Sequence, residues 1–93
     1  MGFIYELEKI INERKNYEPH CSYTAKLFSQ GIDKILQKIG EEAVEYLIEA
    51  KNGNKERAIS EAADLIYHFL VSLNYSGISL GEIEEELQRR HRP

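Results

Sequence analysis

The sequence predicts an all-α fold: a bundle of about four to five helices, the long ones antiparallel, with the core completed by dimerisation. Three observations carry this prediction. Apolar residues recur at three- and four-residue spacing, and no segment sustains the alternation of a half-buried strand. Residues that stop or cap helices interrupt the pattern at intervals. The interruptions are short, which favours antiparallel packing of consecutive long helices.

The elements follow in order. Phe3, Ile4, Leu7, Ile10 and Ile11 form the stripe of a first amphipathic helix. The polar stretch from Asn16 to Ser22, with Pro19 inside it, breaks that helix. Ser22 is placed to cap a short helix ending near Gly31. A long helix is expected from about Ile32 to Lys51, stopped by Asn52-Gly53. Asn54 is a suitable N-cap for the next helix, which carries Ala58, Ile59, Ala62, Leu65, Ile66, Phe69 and Leu73 and ends at Gly77. Ser79 followed by Glu82 is a capping-box pattern opening a last helix to about Arg90.

A chain of 93 residues is expected to form a single domain, residues 1–93. Its 42% apolar content supports a core, but a domain this small covers a limited share of its surface, so a second copy is the expected partner. A net charge of −4 argues against nucleic acid or an anionic membrane as partner. Cys21, the one cysteine, allows neither an internal disulfide nor a cysteine-rich zinc site, and reads as a small bland residue. The segment from Met1 to Ile11 lacks the basic start and long apolar centre of a signal peptide, and no apolar run is long enough to span a membrane. A cytoplasmic location is expected.

The chemistry lies on the two central helices. The first carries Glu41, Glu42 and Glu45; the second carries Glu61 and Asp64. Spacings of three and four project each set from one side of its helix. On a wheel of about 100° per residue, Ile32, Ile35, Leu36, Ile39, Ala43 and Leu47 make the first stripe, with Lys34, Lys38 and the glutamates on its flank. The second stripe centres near Ala62 and Phe69, with Glu61, Asp64 and His68 along its edge. Antiparallel packing through a turn near Gly53 would face the two acidic bands across a groove. A solvated acidic surface is the bland alternative. It explains poorly why Glu41, Glu45 and Glu49 repeat like charges at four-residue spacing, an arrangement that destabilises an isolated helix. A bound cation turns that repulsion into coordination. Oxygen ligands suit magnesium, with manganese as a substitute; a di-iron site would call for Glu-x-x-His motifs, and this chain has Glu-x-x-Asp.

Glu-Glu-x-x-Glu on one helix and Glu-x-x-Asp on the next resembles the signature of the MazG-like all-α nucleotide pyrophosphohydrolases. The stretches Ser22 to Phe28, Lys34 to Glu42, Glu61 to His68 and Leu87 to His91 resemble, more narrowly, the phosphoribosyl-ATP pyrophosphatases of histidine biosynthesis. The resemblance covers nearly the whole chain. It implies magnesium-dependent hydrolysis of phosphoribosyl-ATP to phosphoribosyl-AMP and pyrophosphate, on a MazG-like bundle assembled as a homodimer.

Under that reading Glu42, Glu45, Glu61 and Asp64 are the expected metal ligands. Glu41 is a further ligand, the carboxylate that orients the attacking water, or plain surface. Lys26, Lys34 and Lys38 are candidates for phosphate contacts, against ordinary salt bridges. Arg89 and Arg90 are further candidates, from the same or the partner chain, against simple complementation of a helix dipole. Tyr23 and Thr24 are expected at the base or ribose on resemblance alone. His68 reads as a core or supporting histidine before a ligand. Two other classes stay open: a house-cleaning pyrophosphohydrolase acting on a noncanonical or deoxynucleotide triphosphate, and a non-enzymatic helical association module or antitoxin-like partner. Val44, Ile48, Leu70 and Val71 fall outside the main stripes and are the expected partner-facing surface.

Overall fold

The computed structural model describes residues 2–93; Met1, part of the stretch read for a leader, lies outside the described residues. Five helices follow one another: α1 (Gly2–Arg14), α2 (Tyr23–Gln30), α3 (Ile32–Asn52), α4 (Lys55–Tyr75) and α5 (Leu80–Arg90). Among the described residues there is no strand, and no helix is long and apolar enough to cross a membrane.

The local signals set the helix ends. The Ser22 hydroxyl accepts from the Ala25 amide, and the Asn54 side chain accepts from the Arg57 amide, each satisfying one of the orphan donors of a helix start. Ser79 and Glu82 complete both bonds of the capping box. Gly53 takes a left-handed conformation at φ 73° and donates to the carbonyls of Ala50 and Glu49, which ends α3 and reverses the chain.

α3 and α4 are 21 residues each and form one long hairpin. Their contacts step outward from Gly53 as an antiparallel pair requires: Arg57 on Glu49, then Glu61 near Glu45, then His68 on Glu42. At the end remote from the turn, Ile35, Leu70, Val71 and Leu73 bury against Ile11 of α1 and Leu27 of α2, with Leu80 and Ile83 of α5 packed alongside. Each such fully buried aliphatic side chain contributes about 1.5–3 kcal/mol.

The half nearest the turn has no such cover. Val44, Leu47, Ile48 and Ile59 are 52–63% exposed, and Ile66, near the middle of α4, is 43% exposed. This corrects part of the sequence reading. Val44 and Ile48 do face outward, but Leu70 and Val71 are core, 3% and 0% exposed. Ile59, Ile66 and Phe69, expected in the internal stripe, are outward instead, as are Leu36 and Leu47 of the first stripe. The reason is geometric: the cluster around Ile11 and Leu27 covers only part of the far half, so Ile35 and Leu70 are buried beside the exposed Leu36 and Phe69, while Leu47 and Ile59 nearer the turn stay uncovered.

Candidate metal centre

The acidic cluster sits where the covered half gives way to the bare one. One carboxylate oxygen from each of Glu42, Glu45 and Glu61 lies within 4.8 Å of the others. Glu42 is buried, Glu61 half-buried and Glu45 exposed, so the cluster has an inner anchor and an open outer side. Three carboxylates this close repel one another. The carboxyl of Glu61 is pushed above its ordinary range by loss of solvent, by a hydrogen bond with Glu45, and by the charges of Glu45, Asp64 and Glu42. An all-oxygen donor set with that much uncompensated negative charge fits a hard divalent cation such as magnesium.

Asp64 is one turn beyond Glu61, close enough to raise its carboxyl, but it is exposed and stands outside the three-carboxylate set. Glu41 is also outside it. It accepts a hydrogen bond from Gln37 at 3.0 Å and lies 4.0 Å from Lys38, and its carboxyl is lowered by the Gln37 bond and by the charges of Lys38 and Lys34. Glu49, one of the repeated like charges, is neutralised by Arg57 at 2.9 Å and belongs to the hairpin turn. Lys34 and Lys38 are half-buried on the flank of α3; Lys26 is exposed on α2. Arg89 and Arg90 both bond Glu86 on α5 and lower its carboxyl. The structure therefore shows them in a local ion pair at a helix end.

Behind the carboxylates runs a polar chain that the spacing of acidic residues did not disclose. Buried His68 places Nδ1 at 2.8 Å from the Asp64 carbonyl oxygen and 3.2 Å from Glu42 Oε1. Its Nε2 lies 2.8 Å from the Tyr23 hydroxyl. Thr24, next in sequence, bonds through its hydroxyl to that of Tyr67. Burial raises the phenols of both Tyr23 and Tyr67, so both stay neutral. The charge of Lys38 works against the shift at Tyr23 and that of Arg14 against the shift at Tyr67. Among the described residues no buried side-chain polar atom lacks a partner.

Tyr23, Thr24 and Tyr67 also form one wall of a groove of about 470 Å³, whose other residues include Arg14, Tyr17 and Ser22. Arg14 carried no sequence signal, because only the return of α1 over α4 brings it there. A larger groove of about 550 Å³ lies between α1 and the α4–α5 turn. Its lining is already bonded across the gap, Lys15 to Asn74, Asn74 to Asn12 and the Leu80 amide to Glu8, and it holds none of the clustered carboxylates. It is a helix junction.

Comparison with known proteins agrees with this architecture. Residues 4–91 match the family model described as phosphoribosyl-ATP pyrophosphohydrolase. A phosphoribosyl-ATP pyrophosphatase from Leptospira biflexa is 50% identical over 91 residues, 98% of this chain and 99% of the relative. One from Clostridium acetobutylicum is 52% identical over 86 residues, 92% of this chain and 78% of the relative. The histidine biosynthesis bifunctional protein HisIE of Photobacterium profundum is 45% identical over 89 residues, 96% of this chain but 43% of that longer protein. The chain thus spans less than half the length of that bifunctional relative and nearly all of the first. With the family pattern matched over almost its entire length, and a half-identical relative of the same extent, the chain belongs to the phosphoribosyl-ATP pyrophosphohydrolase family, hydrolases of histidine biosynthesis.

Proposed function

We propose that this chain hydrolyses phosphoribosyl-ATP to phosphoribosyl-AMP and pyrophosphate, with a magnesium ion held by Glu42, Glu45 and Glu61 and, one turn further along α4, Asp64. The observation that carries the reading is the convergence of three carboxylate oxygens within 4.8 Å on two adjoining helices of a family member. When bound, magnesium supplies the positive charge that lets a triphosphate approach an acidic site and that offsets charge developing on the phosphates.

The chain's own residues do the rest. Glu42, buried, holds the inner side of the site; Glu45 and Glu61 face the open side where substrate would enter. Glu41, tied to Gln37 and Lys38, is assigned the orienting of water and not a ligand role. Lys38 and Lys34 flank the carboxylates on α3 and are assigned to phosphate oxygens; Lys26, exposed on α2, is a further candidate. Tyr23 and Thr24, on the wall of the groove shared with Arg14 and Tyr67, are assigned to ribose or base. Arg89 and Arg90 would have to leave Glu86 to serve phosphate, and the partner chain is the only source from which we retain them. Water adds across the α–β phosphoanhydride, its bridging P–O bond breaks, and pyrophosphate departs.

The same reading includes a homodimer in the cytoplasm. A second copy is the occupant best suited to the bare half of the hairpin, because exposed Val44, Leu47, Ile48 and Ile59 are more apolar surface than a small monomer usually leaves in water. The metabolic reaction and the single cysteine support the location. Pyrophosphate release from phosphoribosyl-ATP, measured with magnesium and after complete chelation, tests the activity. Undiminished turnover without divalent cation would sink the metal assignment. A panel of noncanonical nucleoside triphosphates tests the substrate.

A further inference from the structure

We propose that His68 is a positioning residue: it fixes the orientation of the Glu42 carboxylate for cation binding and is itself held by Tyr23, so that α2 and the carboxylates on α3 form one unit. This rests on the metal-site reading above.

The geometry assigns each atom a role. Nδ1 of His68 faces two acceptors, the Asp64 carbonyl at 2.8 Å and Glu42 Oε1 at 3.2 Å, so this nitrogen carries the proton. Nε2 then accepts, and the Tyr23 hydroxyl at 2.8 Å is the group that donates to it. The tautomer is therefore set by the two acceptors at Nδ1, and the Tyr23 hydroxyl, able to donate or accept, answers it as a donor. The Asp64 carbonyl is four residues back on the same helix, so it orients the ring relative to α4. Tyr23 comes from α2, 45 residues away, and orients the ring relative to the first half of the chain. The rings of Tyr23 and Tyr67 both meet the imidazole edge-on, at centroid separations of 5.7 and 5.1 Å, which limits its rotation.

The consequence falls on Glu42. A long carboxylate side chain on an exposed helix face samples many rotamers, and a cation must order it. Glu42 is instead 7% exposed, with one oxygen on an imidazole that is 5% exposed. A carboxylate oriented in advance in this way leaves further lone pairs for a cation at reduced entropic cost. Partners of this kind, one step behind a ligand, typically alter metal affinity about 10–100-fold when removed.

The test uses the full chain and manganese(II) as probe, with binding read by calorimetry or electron paramagnetic resonance. His68→Ala is expected to weaken manganese binding by about 10–100-fold. His68→Asn, which keeps a short N–H donor near the Nδ1 position, should recover most of that loss. Nitrogen chemical shifts of the cation-free chain should show His68 protonated at Nδ1. Equal manganese affinity in the unsubstituted chain and a folded His68→Ala variant would overturn the proposal alone, as would an Nδ1 that carries no proton. Absence of any manganese binding by the unsubstituted chain would bring down the metal-site reading, and this one with it. If His68→Ala does not fold, His68→Asn is compared with His68→Leu, and equal affinities overturn the proposal.

Discussion

The two halves of the α3–α4 hairpin are built from similar residues and meet different fates. Away from Gly53, Ile35 and Val71 are each 0% exposed beneath α1 and α2. Toward Gly53, Leu47 and Ile59 are 63% and 60% exposed. Glu42 lies at the seam, Glu45 and Glu61 just beyond it. The difference teaches that the chain spends its core on holding the back of the site and leaves the front unfinished. Stability and chemistry should therefore separate along the hairpin, and the comparison can be broken by moving either one.

The largest expected effect is on turnover. Glu45→Gln and Asp64→Asn should each abolish activity while helix content, read by circular dichroism, stays intact. Near-normal turnover in either variant removes that residue from the site. The matching change in the covered half, Ile35→Ala, should cost about 2–5 kcal/mol in denaturant unfolding, because the α1–α2 cover cannot collapse into the gap. A cost below about 1 kcal/mol would mean that this half is not the core.

Assembly comes next. Sedimentation at micromolar concentration should show twice the 10.8 kDa chain mass or a multiple of it. Leu47→Glu or Ile59→Glu should shift the population toward monomer, since either would bury a charge against an apolar partner face. A stable, active monomer of the unsubstituted chain would show that the bare half is not an interface between copies.

Cation binding should stabilise the fold in a pH-dependent manner. The Glu61 carboxyl is raised in the cation-free chain by lost solvent and by its carboxylate neighbours. A carboxyl raised on folding favours the folded state while it is protonated, and that contribution disappears as pH rises through its folded value. The cation-free chain thus bears the repulsion at neutral pH, where magnesium relieves it. The rise in Tm on adding magnesium should be larger at pH 7.5 than at pH 5 by differential scanning calorimetry. An equal or reversed increment would place the binding elsewhere.

The smallest effect is a control. Ser79→Ala removes one arm of the α5 capping box, far along the chain from the carboxylates, and should cost about 1 kcal/mol with turnover unchanged. A large loss of activity would tie α5 to the site more closely than the local ion pairs of Arg89 and Arg90 with Glu86 indicate.

What the sequence by itself determined is what depends on neighbours along the chain. Ser22, Asn54 and the Ser79–Glu82 pair cap helices with bonds spanning three residues, and Gly53 turns the chain within its own backbone. The acidic cluster was legible for the same reason, since helical spacing alone aligns Glu42 with Glu45 and Glu61 with Asp64, and a short turn brings the two helices together. The tertiary structure decided what depends on distant chain. A helical wheel shows which residues share a face, but not whether anything covers it: Leu70 and Val71, outside the main stripe, are core, and Ile59 and Phe69, within it, are exposed. Nor could spacing place Tyr23 on His68, or Arg14 beside Tyr67, because those neighbours are set by how α1 and α2 close over one end of the hairpin and stop short of the other.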